Sequence, residues 1–408
     1  MKETGLVAAN ILLPKTRDLT SFACVACDQF TSEKEYWLAL ENSVKGKATA
    51  LDLVLPEVYL GSDQEERTEK INHNIKEYLA REEFLELPSG FVLTVRSTPY
   101  RARRIGIVGA VDLEKYEYSK KSSALVRSTE GTIEERIPPR LAIRKNADVE
   151  LPHIMILYDD EKREIAEKLY ENRNRYEKLY DFELNMGGGH SEGWFVPESE
   201  GLAEKFSALL DEERLIKKYG KKDEFAFAVG DGNHSLATAK AHWNEVKKTL
   251  SPEEIKTHPA RFALAEFNNI YDEGIYFEPI HRLVTGVDGK RFVDGLKSVD
   301  GKFGVLYGED LSVTGEGSLP QSIKNADEYI KEYISVNGGA VDYVHGEKNL
   351  SDLVKKDKSA VGITFEKLKK EDLFPYVSSY GALPRKTFSM GEGVEKRYYL
   401  EAKRITRN

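Results

Sequence analysis

The sequence predicts a mixed α/β protein with a larger lobe over residues 1–285 and a smaller C-terminal α/β lobe over 286–408. Three observations predict it. Short apolar runs rich in β-branched and aromatic residues alternate with segments of helical periodicity. One of these alternations, residues 225–246, joins a strand to a helix through a single tight turn. Around Thr285 to Lys290 (TGVDGK) the composition shifts to Gly and Asp, and a boundary is expected there.

Taken in order, residues 5–15 and 20–30 read as strands. Residues 33–45 read as a helix carrying Tyr36, Leu38 and Leu40, and 51–59 return to a strand. An amphipathic helix over 65–81 is expected through Ile71, Ile75 and Leu79. Strands follow at 90–96 and 104–112, the second apolar and β-branched. Residues 116–148 are polar and interrupted by Pro138-Pro139, which predicts a long loop with one short helix. Residues 154–158 read as a buried strand, with Asp159 and Asp160 placed to cap a charged helix over 161–180. Residues 260–270 are apolar, 275–283 form a further strand, and beyond the boundary short strands alternate with helices such as 326–335, ending in a strand at 396–402.

The strand–turn–helix carries the chemistry. Phe225 to Val229 is an apolar, strand-type run bounded by Gly230, and Leu236, Ala239, Trp243 and Val246 then recur at helical spacing. Between them, Gly230-Asp231-Gly232-Asn233-His234-Ser235 packs a carboxylate, an amide, an imidazole and a hydroxyl into one turn. A helix that starts here aims N–H groups and its positive dipole end outward, which suits phosphate or carboxylate. The simpler reading is that Asp231 or Asn233 caps the helix and the glycines turn the chain.

Charge narrows the function classes. Lys and Arg number 60 against 69 Asp and Glu, a net charge of −9, which argues against a broad nucleic-acid or anionic-membrane surface. No apolar run approaches bilayer length, and the start lacks a secretory pattern, so a cytoplasmic protein with a small-molecule ligand is expected. The oligomeric state stays open. The two cysteines, Cys24 and Cys27, form C-x-x-C without further ligands at metal spacing, and buried thiols are the preferred reading.

Other candidates are weighed against structural roles. Gly187-Gly188-Gly189-His190 is a turn whose backbone can approach a ligand, or a plain glycine turn; it fits neither G-x-G-x-x-G nor a P-loop. His281-Arg282, after a strand and a proline, suits anion recognition or a structural ion pair. Arg385, Lys386, Thr387 and Ser389 form a basic, hydroxyl-bearing turn, and Arg127, Arg136, Arg140 and Arg144 lie in the polar loop.

The 231–235 turn resembles the DGHHR-type loop of the ParB/sulfiredoxin superfamily. The whole chain resembles domain-of-unknown-function family 1015, through Ala26-Cys27-Asp28-Gln29-Phe30, Leu55-Pro56-Glu57-Val58-Tyr59, Gly106 to Asp112, Ile156 to Asp160, Gly187 to His190, Pro279 to Val284 and Leu383 to Met390. The resemblance implies a ParB/sulfiredoxin-like core that binds nucleotide phosphates at Gly232 to Ser235. By analogy with the free-serine-kinase branch it implies phosphoryl transfer between a nucleotide (ATP, ADP or CTP), or water, and a small hydroxylated metabolite such as serine. Asp28 or Asp231 would then act as base or hold Mg²⁺, and His234 would donate to phosphate; Asp28 equally reads as a turn cap. A non-catalytic nucleotide- or metabolite-binding regulator is the alternative. Two departures matter. Asn233 stands where sulfiredoxins carry their cysteine, which excludes that chemistry, and Ser235 replaces the terminal arginine. No helix-turn-helix or basic face follows, so the chromosome-partitioning function of ParB is not expected.

Overall fold

The computed structural model describes residues 2–61, 63–132 and 134–407. They form two compact units, one running to Ile275 and resuming at Glu392, the other Tyr276–Gly391. The expected division at 285 therefore shifts. Thr285 ends the strand Phe277–Thr285, which lies wholly within the second unit. TGVDGK is a local feature, in which Asp288 caps the helix Gly289–Leu296 by accepting from Arg291 N–H. The tail from Glu392 returns to the first unit because Arg397 and Glu401 are buried there with Glu266 and Tyr180, a pairing that no local pattern reports.

The first unit is built on an 11-stranded mixed sheet. From one edge the order is Glu177–Leu184, Gly189–Pro197, Phe84–Ser97, Arg104–Asp112, Phe262–Asn269, Met155–Tyr158, Phe227–Asp231, Val126–Ser128 and Tyr116–Glu117. The strands Leu6–Val7 and Ala9–Pro14 pair off this path. Most neighbours are antiparallel, but Phe262–Asn269 runs parallel to Met155–Tyr158, and Val126–Ser128 runs parallel to both Phe227–Asp231 and Tyr116–Glu117. Side chains alternate between two cores, as the period of two requires. Leu93, Ile107 and Phe267 join Phe206, Phe227 and Trp243 in one core. Val92, Val108 and Leu264 join Trp37, Leu40 and Tyr399 in the other.

The helices Lys34–Val44 and Gln64–Ala80 form as the periodicity predicts, with Trp37, Leu40, Ile71 and Ile75 buried. Four expectations change. Residues 20–30 hold only the short strand Cys24–Val25 after a helical turn, Leu19–Phe22, which Asp18 caps. Residues 51–59 form two 3₁₀ turns instead of a strand, because Thr49 caps the first and Pro56 enters the second without an N–H. The helix expected over 161–180 is cut short at Ala166–Glu171, since Glu177–Leu184 is recruited as the sheet's edge strand against Gly189–Pro197. The strand expected at 396–402 is two short strands, Tyr398–Tyr399 and Lys403–Arg404, on different partners.

The second unit carries a 6-stranded sheet of its own. Phe277–Thr285 lies between Ala340–His345 and Val361–Thr364. Phe292, Phe303, Ile323, Ile330 and Ile363 fill its core.

Candidate functional site

The strand Phe227–Asp231 runs into the helix Asn233–Val246 through Gly232, which has φ 78° and no side chain with which to cap it. A Cβ on Gly232 would meet Ile154 Cα at 3.0 Å, so glycine is required for both the left-handed backbone and the close approach. Gly232 and Asn233 are buried, and Gly230, Asp231, His234 and Ser235 half-buried. Asn233 is not presented to a ligand. Its side-chain oxygen accepts from the Ser128 hydroxyl and ties the helix start to the strand Val126–Ser128.

Strand register brings a histidine to this turn. Met155 sits opposite Asp231 in the antiparallel pair, which carries the preceding residues alongside the helix start. There His153 Nε2 lies 2.7 Å from Ser235 Oγ and 3.7 Å from an Asp28 carboxylate oxygen. Its Nδ1 lies 2.8 Å from the Tyr399 hydroxyl. That hydroxyl accepts the Cys27 N–H at 3.0 Å. The tautomer sets what Nε2 can do. With Tyr399 donating to Nδ1, the Nε2 proton is directed at Ser235 and Asp28. With Nδ1–H donating to Tyr399, Nε2 is free to accept from Ser235, the arrangement a serine nucleophile needs.

Two further pairings complete the cluster. The strand Cys24–Val25 pairs with Tyr398–Tyr399, and Ala26 N–H donates to the Arg397 carbonyl at 2.8 Å, so Asp28 and the C-terminal segment arrive together. Lys396 Nζ then lies 3.4 Å from Asp231, with the lysine side chain 6% and the aspartate 22% exposed. Burial raises the Asp28 carboxyl, but His153, the Gln29 side-chain amide and Lys396 outweigh it and hold the group below its ordinary value. Asp28 is an ionised, quarter-exposed carboxylate beside a helix N-terminus and a lysine.

The C-terminal segment is itself clamped. Arg96, buried under Tyr398, donates to the carbonyls of Lys396, Val394 and Gly188, and Arg104 donates to the Glu395 carbonyl. Arg397 bridges Glu266 at 2.9 Å and Glu401. Burial raises the Glu266 carboxyl, yet Arg104 and Arg397 bring it down to about 2.

The remaining candidates fall elsewhere. Gly188 and Gly189 lie at the tip of the Glu177–Leu184/Gly189–Pro197 hairpin, where added Cβ atoms would strike the Tyr398 hydroxyl and the Ser97 carbonyl. Close packing explains both glycines. His190 is held between Asp181 and Glu183, each at 2.8 Å. His281 and Arg282 belong to the second unit and are fully buried. Arg282 is bidentate to Asp327 and donates to the carbonyls of Ile280, Arg385 and Lys386, which makes it a structural arginine. Arg385 is half-buried and Lys386 exposed in that unit, the latter at φ 56°. Arg127 pairs with Asp223, Arg140 with Glu57 and Arg144 with Glu150. Cys24 is buried, and burial pushes both thiols far up, which suits inert thiols rather than redox chemistry.

Asp28 is thus brought from a distant position to the turn that carries Asp231 and Ser235. His153, Lys396 and Tyr399 are members that the sequence reading missed. A lone histidine before an apolar strand gives no spacing signal, and Lys396 to Tyr399 reads only as strand.

The family model described as "Protein of unknown function (DUF1015)" matches residues 10–402. The chain belongs to this family. No curated protein matches the DUF1015 chain. Among solved structures it is similar to a conserved hypothetical protein from Pyrococcus furiosus, with 10% identity over 72% of this chain and 90% of that one and a TM-score of 0.34. It is also similar to a free serine kinase in complex with AMP, with 8% identity, 74% and 91% coverage and a TM-score of 0.39. A third is SbnI with a C-terminal truncation from Staphylococcus aureus, at 9% identity, 70% and 82% coverage and a TM-score of 0.35. Likeness at this level assigns no function. No helix among the described residues is long and apolar enough to cross a membrane.

Proposed function

We propose that this DUF1015 protein transfers a phosphoryl group between a nucleotide, or water, and a small hydroxylated metabolite such as serine. The observation that carries the reading is Asp28. This carboxylate is held below its ordinary pKa, lies 3.7 Å from His153 and sits beside the start of the helix Asn233–Val246. A carboxylate at a phosphate-attracting terminus is placed to take a proton from a hydroxyl acceptor. Its lowered pKa keeps it ionised but weakens it as a base, so position rather than basicity supports the role. On the same reading the first unit has a ParB/sulfiredoxin-like core, with the 227–246 strand–turn–helix as its phosphate loop.

The roles follow from position. Phosphate oxygens would rest on N–H groups from Gly232 to Ser235, with His234 as a side-chain donor. Asp28 takes the acceptor's proton as its oxygen forms the new bond to phosphorus and the bond to the leaving phosphate breaks. Lys396, 3.4 Å from Asp231, offsets the charge that gathers there. No group of three or more His, Cys, Asp or Glu among the described residues forms a ready-made metal site, so Asp231 would be the one protein carboxylate to hold Mg²⁺, which commonly takes only one or two. When bound it would neutralise phosphate charge.

The test is turnover. The protein is incubated with ATP, ADP or CTP, Mg²⁺ and serine, and phosphorus NMR follows the products. Phosphoryl transfer that is lost in Asp28→Asn supports the reading. Saturable nucleotide binding without consumption, across acceptors, would replace it with a non-catalytic regulator.

A further inference from the structure

An open cavity of about 170 Å³ adjoins the cluster, sharing with it the side chains of His153, Ser235 and Tyr399. Most of the remaining wall is apolar, with Leu53, Leu55, Ile71, Ile75, Val149 and Leu264 on it. Its charges cancel locally. Arg140 pairs with Glu57 and Arg144 with Glu150, and all four line the cavity. Two lining side chains, Asn72 and again Arg144, carry a polar atom (the Asn72 side-chain oxygen and Arg144 Nε) with no hydrogen-bond partner among the described residues, both shielded from the cavity by neighbouring atoms. The polar groups offered to an occupant are therefore those of Ser235, His153 and Tyr399 at the end shared with the cluster.

We propose that this cavity binds an uncharged alcohol with an apolar body of about six to eight carbons, its hydroxyl seated against Ser235 and His153. Size supports the body, since an apolar cavity of about 150 Å³ takes benzene. The paired wall charges support neutrality. A free amino acid would bring an ammonium and a carboxylate into a wall whose counter-charges are already spent, and burying such charges unpaired is costly. Binding rests on the cavity alone; the fate of the hydroxyl rests on the phosphoryl-transfer reading and, within it, replaces serine by an uncharged alcohol as the acceptor. There the alcohol oxygen bonds to the terminal phosphorus of a nucleotide, its proton passes to Asp28, and the shortened nucleotide leaves.

The probe is 2-phenylethanol, with the full chain, read by saturation-transfer NMR and by melting temperature. Saturable binding is expected, weakened at least tenfold by Ala147→Phe, which fills the cavity from its half-buried wall, with Val54→Trp as a second filler. The melting shift with nucleotide should survive in both. Absence of saturable binding to the wild-type chain at tens of millimolar would overturn the proposal, as would binding indifferent to both fillers. The two readings separate cleanly. If the alcohol binds, is displaced by the fillers and is never phosphorylated, the cavity assignment stands and phosphoryl transfer to it fails. If serine is phosphorylated at the wild-type rate in Ala147→Phe, phosphoryl transfer stands and the cavity is not its acceptor site.

Discussion

His153 Nε2 lies 2.7 Å from Ser235 Oγ, two residues 82 positions apart that meet because Met155 is registered opposite Asp231. A one-residue slip in that pairing would shift the segment that enters the strand at Met155 and carry His153 away from Ser235 and Asp28.

The first prediction concerns Gly232. Its φ of 78° and the 3.0 Å approach to Ile154 mean that Gly232→Ala strains the backbone and crowds the turn. A loss of about 1–2 kcal/mol is expected from the left-handed conformation alone. Chemical denaturation measures that loss, and the melting shift with nucleotide should shrink with it. Wild-type nucleotide response in a correctly folded Gly232→Ala would move the ligand away from this helix start.

Asp28 and Lys396 should separate chemistry from electrostatics. Asp28→Asn keeps volume and removes charge, so turnover should fall by roughly a hundredfold or more, the scale of general-base catalysis. Lys396→Met removes one of the cations that lower the Asp28 carboxyl. The acid limb of the kcat/KM profile, set by protonation of Asp28, should therefore move to higher pH. An unshifted limb would show that Asp28 is not the group being titrated.

Arg397 tests the clamp that holds Lys396 in place. Arg397→Met strips Glu266 and Glu401 of a buried partner, and breaking such a pair costs about 3–5 kcal/mol. Denaturant unfolding of the first unit should shift accordingly, and nucleotide response should weaken because the segment carrying Lys396 loosens. A small change in both would assign the clamp to neither stability nor binding.

Acid should weaken both units. Burial, reinforced by Arg144 for His242 and by Arg282 for His281, brings each imidazole down to about 4 from an ordinary 6.5. Between those values the unfolded chain binds protons that the folded chain does not, so stability is full above pH 6.5 and falls progressively toward pH 4. Replacing His281 by Gln should flatten that dependence for the second unit. Melting curves from pH 8 to 4 check it.

Much of the site's local structure is legible in the residues. The apolar run before Gly230 and the spacing of Leu236, Ala239 and Trp243 specify a strand and a helix, and Gly232 occupies the one position whose backbone demands it. Asp28 is legible only through family resemblance. His153 and Lys396 carry no local signal, because their relevance comes from which strands pair.

The sequence by itself determined the local elements whose periodicity agreed with their packing. Examples are the helices Lys34–Val44, Gln64–Ala80 and Asn233–Val246, and the strands Arg104–Asp112 and Met155–Tyr158. Propensity and hydrophobic pattern point the same way there. Tertiary structure alone decided that Glu177–Leu184 would be an edge strand, that Glu392 onward would return to the first unit, and that His153 would meet Asp28 and Ser235. Each of these depends on contacts between residues distant in sequence, whose burial and pairing energies exceed the local preferences that a sequence pattern records.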